Sequence, residues 1–268
     1  MTETHAAFAG SIPEFYEQHL RSILFEPYAE DLAARAAILA GPFLEMACGT
    51  GILTRHLLAR LGEDARLVST DLNPPMLAEA QRRLPADPRL EWRQADMAVL
   101  PFDDEAFGAV VCQFGFMFPP DKAAIFREAR RVLRAGGTLL FNVWASLEEN
   151  PANAAALRAL EKLFPEDPPR FLEVPFGFHD EARIRAFLRD HGFGNIHTEA
   201  IDMECRSPVA RDFAIGLVRG TPLANDLQAR GAVPGPVEDA IAAALAEMGG
   251  GAPFRCPMRA LVVQAQAG

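Results

Sequence analysis

The run Glu45-Met46-Ala47-Cys48-Gly49-Thr50-Gly51 carries a short apolar stretch into two glycines spaced GxG, and Asp71 follows Gly49 by 22 residues. A turn of small residues leaves backbone groups uncovered, so a ligand can lie directly against the chain. A carboxylate at the end of the next strand is a two-oxygen acceptor suited to a pair of ribose hydroxyls. The chemistry implied is the binding of a nucleoside-containing cofactor. A dinucleotide site asks for GxGxxG, and Thr54 stands where the third glycine would be. That glycine lets the helix approach the strand as a pyrophosphate site requires. Its absence weighs against a nicotinamide-dependent oxidoreductase, which stays as the lesser alternative.

Other chemistries have weaker signals. The four cysteines, at 48, 112, 205 and 256, show no CxxC spacing, so neither a zinc site nor a dithiol centre is expected. They are expected as reduced thiols in a cytoplasmic protein. The histidines show no metal-ligand spacing. His179, in Phe176-Gly177-Phe178-His179-Asp180, is a weak candidate general base against an ordinary helix-capping or surface histidine. Lys plus Arg number 26 and Asp plus Glu 36, a formal charge of −10. That balance disfavours nucleic acid and anionic lipid as partners and leaves a small-molecule substrate. No stretch of 18 apolar residues is present, so no membrane span is expected. The first residues lack the basic and apolar regions of a secretory signal. Phenylalanine is abundant, 19 against 2 Tyr and 2 Trp. Most of these rings belong to a core, and the functional alternative is an apolar, water-excluding pocket.

The elements that must hold these residues alternate. Phe43–Ala47 reads as a strand, and Leu53, Leu57 and Leu61 follow at helical spacing. Strands are expected at Arg66–Thr70, Leu90–Gln94, Ala109–Cys112 and Thr138–Trp144. Pro74 and Pro75 open one intervening helix. Asp121 caps another, which carries Ile125, Ala129, Val132 and Leu133 on one face and stops at Gly136-Gly137. Strand–helix alternation means a parallel sheet covered by helices. The first strand follows only helices, so it can lie at the centre, where strand order reverses and ligands bind. Residues 1–40 form a helical cap, with Ser11 and Pro13 opening the first helix and Pro27–Leu39 the second. Residues 41–145 form the cofactor-binding core. Residues 146–268 form an acceptor-side half: a proline-rich connection (165–175), a helix at Asp180–Asp190, a strand at Ile196–Cys205 and a last strand at Met258–Ala265. Between those strands, 207–253 reads as an insertion with helices around Ala210–Leu217 and Glu238–Met248, able to serve as a lid.

Four segments in order, Glu45-Met-Ala-Cys-Gly-Thr-Gly51, Ser69-Thr-Asp71-Leu-Asn, Gln94-Ala-Asp96-Met and Leu133-Arg-Ala-Gly-Gly137, resemble the motif series of class I S-adenosylmethionine-dependent methyltransferases. The resemblance covers residues 40–145 and is nearest to the ubiquinone/menaquinone-biosynthesis type. It implies an α/β, Rossmann-like, doubly wound, mostly parallel seven-stranded sheet whose last strand is antiparallel. It implies S-adenosylmethionine as cofactor, S-adenosylhomocysteine as product, and in-line methyl transfer to oxygen, nitrogen or carbon of a small, partly apolar acceptor. Glu45, Ala47, Cys48, Gly49, Thr50 and Gly51 would form the turn against the methionine part. Asp71 would take the ribose, Leu72 and Met76 the adenine faces, and Asp96 with Met97 the adenine edge. Gln113 and Phe114 would line the methionine end, with Tyr16 closing over the sulfonium or carboxylate and Arg21 a weaker counter-ion. Phe116, Met117 and Phe118 would face either the acceptor or the core. The nucleic-acid amino-methylating enzymes carry Asp/Asn-Pro-Pro-aromatic after the fourth strand, where this chain has Cys112-Gln113-Phe114-Gly115. An S-adenosylmethionine-binding protein with other, or no, sulfonium chemistry remains a second reading.

Overall fold

The computed structural model describes residues 7–268; residues 1–6, His5 among them, lie outside the described residues. Seven strands form one sheet in the order β3-β2-β1-β4-β5-β7-β6. They are β1 (Phe43–Met46), β2 (Leu67–Asp71), β3 (Leu90–Gln94), β4 (Phe107–Gln113), β5 (Leu133–Trp144), β6 (Phe193–Ser207) and β7 (Phe254–Ala267). β1 pairs parallel with both β2 and β4, so the strand order reverses at β1 as expected. β7 runs antiparallel to both β5 and β6. All of β1 and all of β4 but Gln113 are buried. This explains their largely apolar sequences, Glu45 of β1 apart, because a parallel strand covered on both faces has no polar side to alternate with. The edge strands differ. β6 places Glu199, Asp202, Glu204 and Arg206 in exposed or half-buried positions, charges that discourage edge-to-edge pairing.

The helices α1 (Ile12–His19), α2 (Glu26–Ala36), α3 (Ile52–Arg60), α4 (Pro74–Arg83) and α5 (Lys122–Val132) follow the expected order. A π-helical turn, Arg21–Phe25, joins α1 to α2. Ser11 precedes α1 but makes no side-chain cap, whereas Asp121 accepts from the Ala124 amide at 3.0 Å. α5 does not run to Gly136-Gly137. It ends at Val132, and β5 begins at the next residue. Those glycines lie inside the strand, where the pairing with β4 shifts register between Phe107 and Ala109.

The second half holds more helix than its sequence pattern suggests. α6 (Pro151–Leu163) precedes the proline-rich segment, which contains a 3-10 turn at Phe171–Phe176. α7 (Glu181–Asp190) is capped by Asp180, which accepts from the Arg183 amide. Between β6 and β7 lie α8 (Ala210–Arg219), α9 (Leu223–Ala229) and α10 (Pro234–Gly249). α8 packs on α1 and α10 on α6. The alanine-rich face of α6 conceals it from a search for large apolar residues at helical spacing, whereas α10 contains the helix expected around Glu238–Met248. Among the described residues no helix is long and apolar enough to cross a membrane.

The two ends of the chain meet through Tyr28 of α2. Its ring is buried, and its hydroxyl donates to the carbonyls of Ile201 in β6 and Met258 in β7. β4 is packed as tightly at its start. A Cβ on Gly108 would run into the Ala40 and Gly41 carbonyl oxygens. Gly108→Ala is therefore expected to destabilise the fold by about 1–3 kcal/mol, read as a lower urea midpoint with unchanged m-value.

Candidate functional site

Beyond the carboxyl ends of β1, β2 and β4 lies a cavity of about 640 Å³. Its position follows from the topology, since the loops leaving β1 and β4 diverge at the switch point. The turn after β1 makes one wall. Ala47, Gly49 and Gly51 all take positive φ, at 54°, 57° and 82°. That backbone sends residues to opposite sides: Ala47 and Gly49 line the cavity, whereas Cys48, Thr50 and Gly51 do not.

The residues turned inward hold the turn in place. Cys48 is a buried thiol that burial, with Glu45 and Asp71 nearby, keeps protonated. Thr50 donates its hydroxyl to Glu17 of α1 at 2.8 Å. Gly51 opens α3 from a left-handed backbone, and a Cβ there would come within 2.8 Å of Leu84 and 3.3 Å of Trp92. Glu45 is also away from the cavity, 1% exposed. Its Oε2 accepts from Ser69 and Thr54, each at 2.6 Å, while its Oε1 is buried without a partner. Burial pushes its pKa up to about 7, against the lowering effect of those two hydroxyls. Thr54, at the position of the absent third glycine, is thus a hydrogen-bond donor to the buried carboxylate.

Asp71, at the end of β2, is buried and lines the cavity. Its Oδ2 accepts from the Gly49 amide at 2.9 Å, and its Oδ1 accepts from the Asn73 amide at 2.8 Å. It therefore braces the turn and opens the next loop while presenting a carboxylate to the cavity. Burial raises its pKa, and the backbone donors oppose that rise. Leu72, 47% exposed, and the buried Met76 line the same end. Asp96 accepts from the Ala98 amide at 2.8 Å and reaches the cavity beside Met97. After β4, Gln113 donates to the Phe25 carbonyl, and its Oε1 is left buried without a partner. Phe114 takes a φ of 52° and stacks on Trp144 at 4.1 Å. Gly115 allows this bend, because a Cβ there would lie 2.6 Å from that of Ala47.

The N-terminal segment closes the other side. Glu17 anchors α1 to the glycine turn, and Tyr16 stacks on Phe25 at 4.7 Å. Burial and the charges of Glu17 and Asp71 hold the Tyr16 phenol protonated. Arg21 does not line the cavity; it pairs with Glu17 and Glu26. His179 also lies away from it, exposed before α7, with Nδ1 at 2.6 Å from the Phe176 carbonyl. It sits at the entry to a helix and is not among the residues that line the cavity.

Several lining residues carry no sequence signal of their own. Phe8, Leu20, Leu24, Trp144, Leu172 and Leu217 look like core residues in sequence and are brought to the cavity by packing. The tripeptide Phe116-Met117-Phe118 divides. Phe116 is wholly buried against Phe126 and Phe141, while Met117 and Phe118 reach the cavity.

Residues 43–137 match the model of a methyltransferase domain. The ubiquinone/menaquinone biosynthesis C-methyltransferase UbiE of Cronobacter sakazakii is 30% identical over 167 residues, 58% of this chain and 66% of that protein, just under two thirds of its length. The demethylmenaquinone methyltransferase of Lactobacillus johnsonii is 28% identical over 59% of this chain and 70% of its own. Among solved structures, geranyl diphosphate C-methyltransferase of Streptomyces coelicolor, in complex with S-adenosylhomocysteine, shares the fold with a TM-score of 0.51 and 18% identity, over 91% of this chain and 78% of that one.

The buried carboxyl of Glu45 generates a pH prediction. Its folded pKa lies above its unfolded value, so the native state holds a proton that the unfolded chain releases between about pH 4.5 and 7. Stability contributed by the protonated form is present below that window and lost as pH rises through it. Relative to Glu45→Gln, the wild type should lose on the order of 3 kcal/mol between pH 4.5 and 7.5. Denaturant melts of both proteins across that range check the slope, and parallel curves would contradict it.

Proposed function

We infer that this chain is a class I S-adenosylmethionine-dependent methyltransferase that transfers a methyl group from S-adenosylmethionine to a small, largely apolar acceptor. The observation that carries this reading is the buried Asp71 carboxylate at the end of β2, facing the cavity beside the open Ala47–Gly49 backbone. The cavity also has the polar complement that the cofactor needs. Gln113 Oε1 is a buried acceptor with no partner, suited to an ammonium group. Among the described residues the three charged ones that line the cavity, Asp71, Asp96 and Asp121, are all acidic, which suits a cofactor whose sulfonium and ammonium outnumber its one carboxylate.

In this reading Asp71 holds the ribose hydroxyls, Leu72 and Met76 cover the adenine, and Asp96 with the Met97 backbone meets its edge. Ala47 and Gly49 lie along the methionine part, with Gln113, Phe114 and Tyr16 at its far end. Glu45, Cys48, Thr50 and Gly51 act indirectly, by holding the turn. When bound, S-adenosylmethionine supplies a methyl group activated on a sulfonium for in-line displacement. The chain's own contribution is positioning and the exclusion of water. Correct placement of two reactants can contribute roughly 7–11 kcal/mol, and the aromatic wall around the cavity keeps the reacting atoms dry. No histidine or lysine lines the cavity among the described residues, so a nucleophile that carries its own lone pair or is readily ionised suits it best.

Calorimetric titration with S-adenosylmethionine and S-adenosylhomocysteine, with a nicotinamide dinucleotide as control, tests the reading. Both ligands should bind and the control should stay silent. Hydrogen bonds to a charged acceptor contribute about 1.5–3 kcal/mol each, so Asp71→Ala should weaken cofactor binding by about 100-fold or more. A folded Asp71→Ala protein that binds with unchanged affinity would remove Asp71 from the site.

A further inference from the structure

The acceptor half of the cavity lies between the loop after β4, the 3-10 turn at Phe171–Phe176, and the residues Leu217 and Thr221 at the end of α8 and just beyond it. Its walls are aromatic and linked. Phe118 stacks on Phe171 at 6.3 Å and meets the edge of Phe8 at 5.8 Å; Phe8 in turn contacts Tyr16 at 6.1 Å. Trp144 and Phe176 are 6.3 Å apart on the opposite side. Polar groups are sparse. The Thr221 hydroxyl is already used, donating to Leu217 and accepting from Leu223. Asn153, half-buried at the start of α6, makes no side-chain hydrogen bond to the described residues.

No Lys, Arg or His lines this cavity among the described residues, although several lie close by in sequence. Each of those cations is engaged elsewhere. The Lys122 ammonium donates to the carbonyls of Met117 and Pro119 and sits over the Phe178 ring. Arg21 pairs with Glu17 and Glu26, and Arg219 with the buried Glu238. Among the described residues the one charged group at the acceptor end is the exposed Asp121 carboxylate at the mouth, and the whole chain carries −10. A phosphate or carboxylate entering here would lose its hydration, meet no counter-charge among the described residues and pass a carboxylate of its own sign. A cation would find its only carboxylate partner at the solvent-exposed rim, outside the apolar stretch.

We propose that the acceptor half selects an uncharged, apolar acceptor and rejects anionic ones, with the Asn153 amide meeting the acceptor's single polar group. This deepens the proposed methyl-transfer reading and rests on it for the word acceptor; the charge selection belongs to the cavity itself. It excludes phosphorylated, diphosphorylated and carboxylated acceptors as a class.

Two probes of one skeleton test it: neutral N-phenyl-1-naphthylamine and anionic 8-anilinonaphthalene-1-sulfonate. Their fluorescence is titrated on the full chain, alone and with S-adenosylhomocysteine in excess. The neutral dye should bind at least ~100-fold more tightly, since an unpaired charge costs several kcal/mol to bury in an apolar site and 1.4 kcal/mol is tenfold. Asn153→Lys, which puts a cation at a half-buried wall position, should narrow that ratio by about tenfold or more. Equal affinities for the two dyes in the wild type would overturn the proposal, whether or not the variant folds. A large ratio that a folded Asn153→Lys protein leaves unchanged would also overturn it, because the selection would then lie outside the cavity. Failure of S-adenosylhomocysteine to bind would instead sink the methyl-transfer reading, and the dye ratio would still decide the charge selection.

Discussion

A carboxyl group buried at the end of the central strand governs the site. Glu45 sits in β1 with Ser69 of the neighbouring strand and Thr54 of the following helix both donating to one of its oxygens. A buried acceptor of this kind is costly unless its donors are held in place. The network therefore locks β1, β2 and α3 to one another. Between β1 and α3 runs the turn with three left-handed residues, Ala47, Gly49 and Gly51. Its path is determined by the Glu45 network below and by Asp71 accepting from Gly49 above. One carboxylate thus works from inside the protein and a second from the cavity side, and the turn is suspended between them. The same network accounts for Thr54. A glycine there would allow a closer helix but would leave Glu45 with one donor fewer.

The remaining wall comes from distant parts of the chain. α1 is laid across the turn by the Glu17–Thr50 hydrogen bond, and α2 is fastened to the last two strands by Tyr28. The rings of Phe114 and Trp144 stack between these fastenings, and Tyr28 meets both edge-on at 5.4 Å. Aromatic pairs of this geometry contribute about 0.5–1.5 kcal/mol each beyond their buried area. The abundance of phenylalanine thus has two destinations. Phe126, Phe141, Phe213 and Phe254 fill the core, while Phe8, Phe25, Phe118 and Phe171 make a water-excluding surface around the cavity.

Charge is distributed to match. The acidic excess of the chain is expressed at the cavity as three carboxylates, and nearby cations are tied to carbonyls or to carboxylates elsewhere. An apolar enclosure whose charged groups, among the described residues, are all negative favours a cationic ligand at one end. The other end is left to dispersion and hydrophobic contact, which suits acceptors recognised by shape.

The sequence by itself determined the sheet's parallel half, its reversal at β1, and a set of residues that line one cavity. These follow from local rules: short strands alternating with helices, small residues in the turn, and a carboxylate at the next strand's end. Of the residues singled out on that basis, Ala47, Gly49, Asp71, Leu72, Met76, Asp96, Met97, Gln113, Phe114 and Tyr16 do meet at one cavity. Only the tertiary structure decided which side of the turn each neighbour faces, because positive φ values at alternating positions send Cys48 and Thr50 inward. It also decided the acceptor wall. α6 and α9 present few large apolar residues at regular spacing, and Phe8, Trp144 and Leu217 look like any core residue until separate segments converge. His179 and Arg21 show the same limit from the other side. Their residue types suit chemistry, but a carbonyl takes one and two carboxylates take the other. Each of these partners lies within five residues in sequence, and which neighbour each side chain takes is decided by how its segment packs.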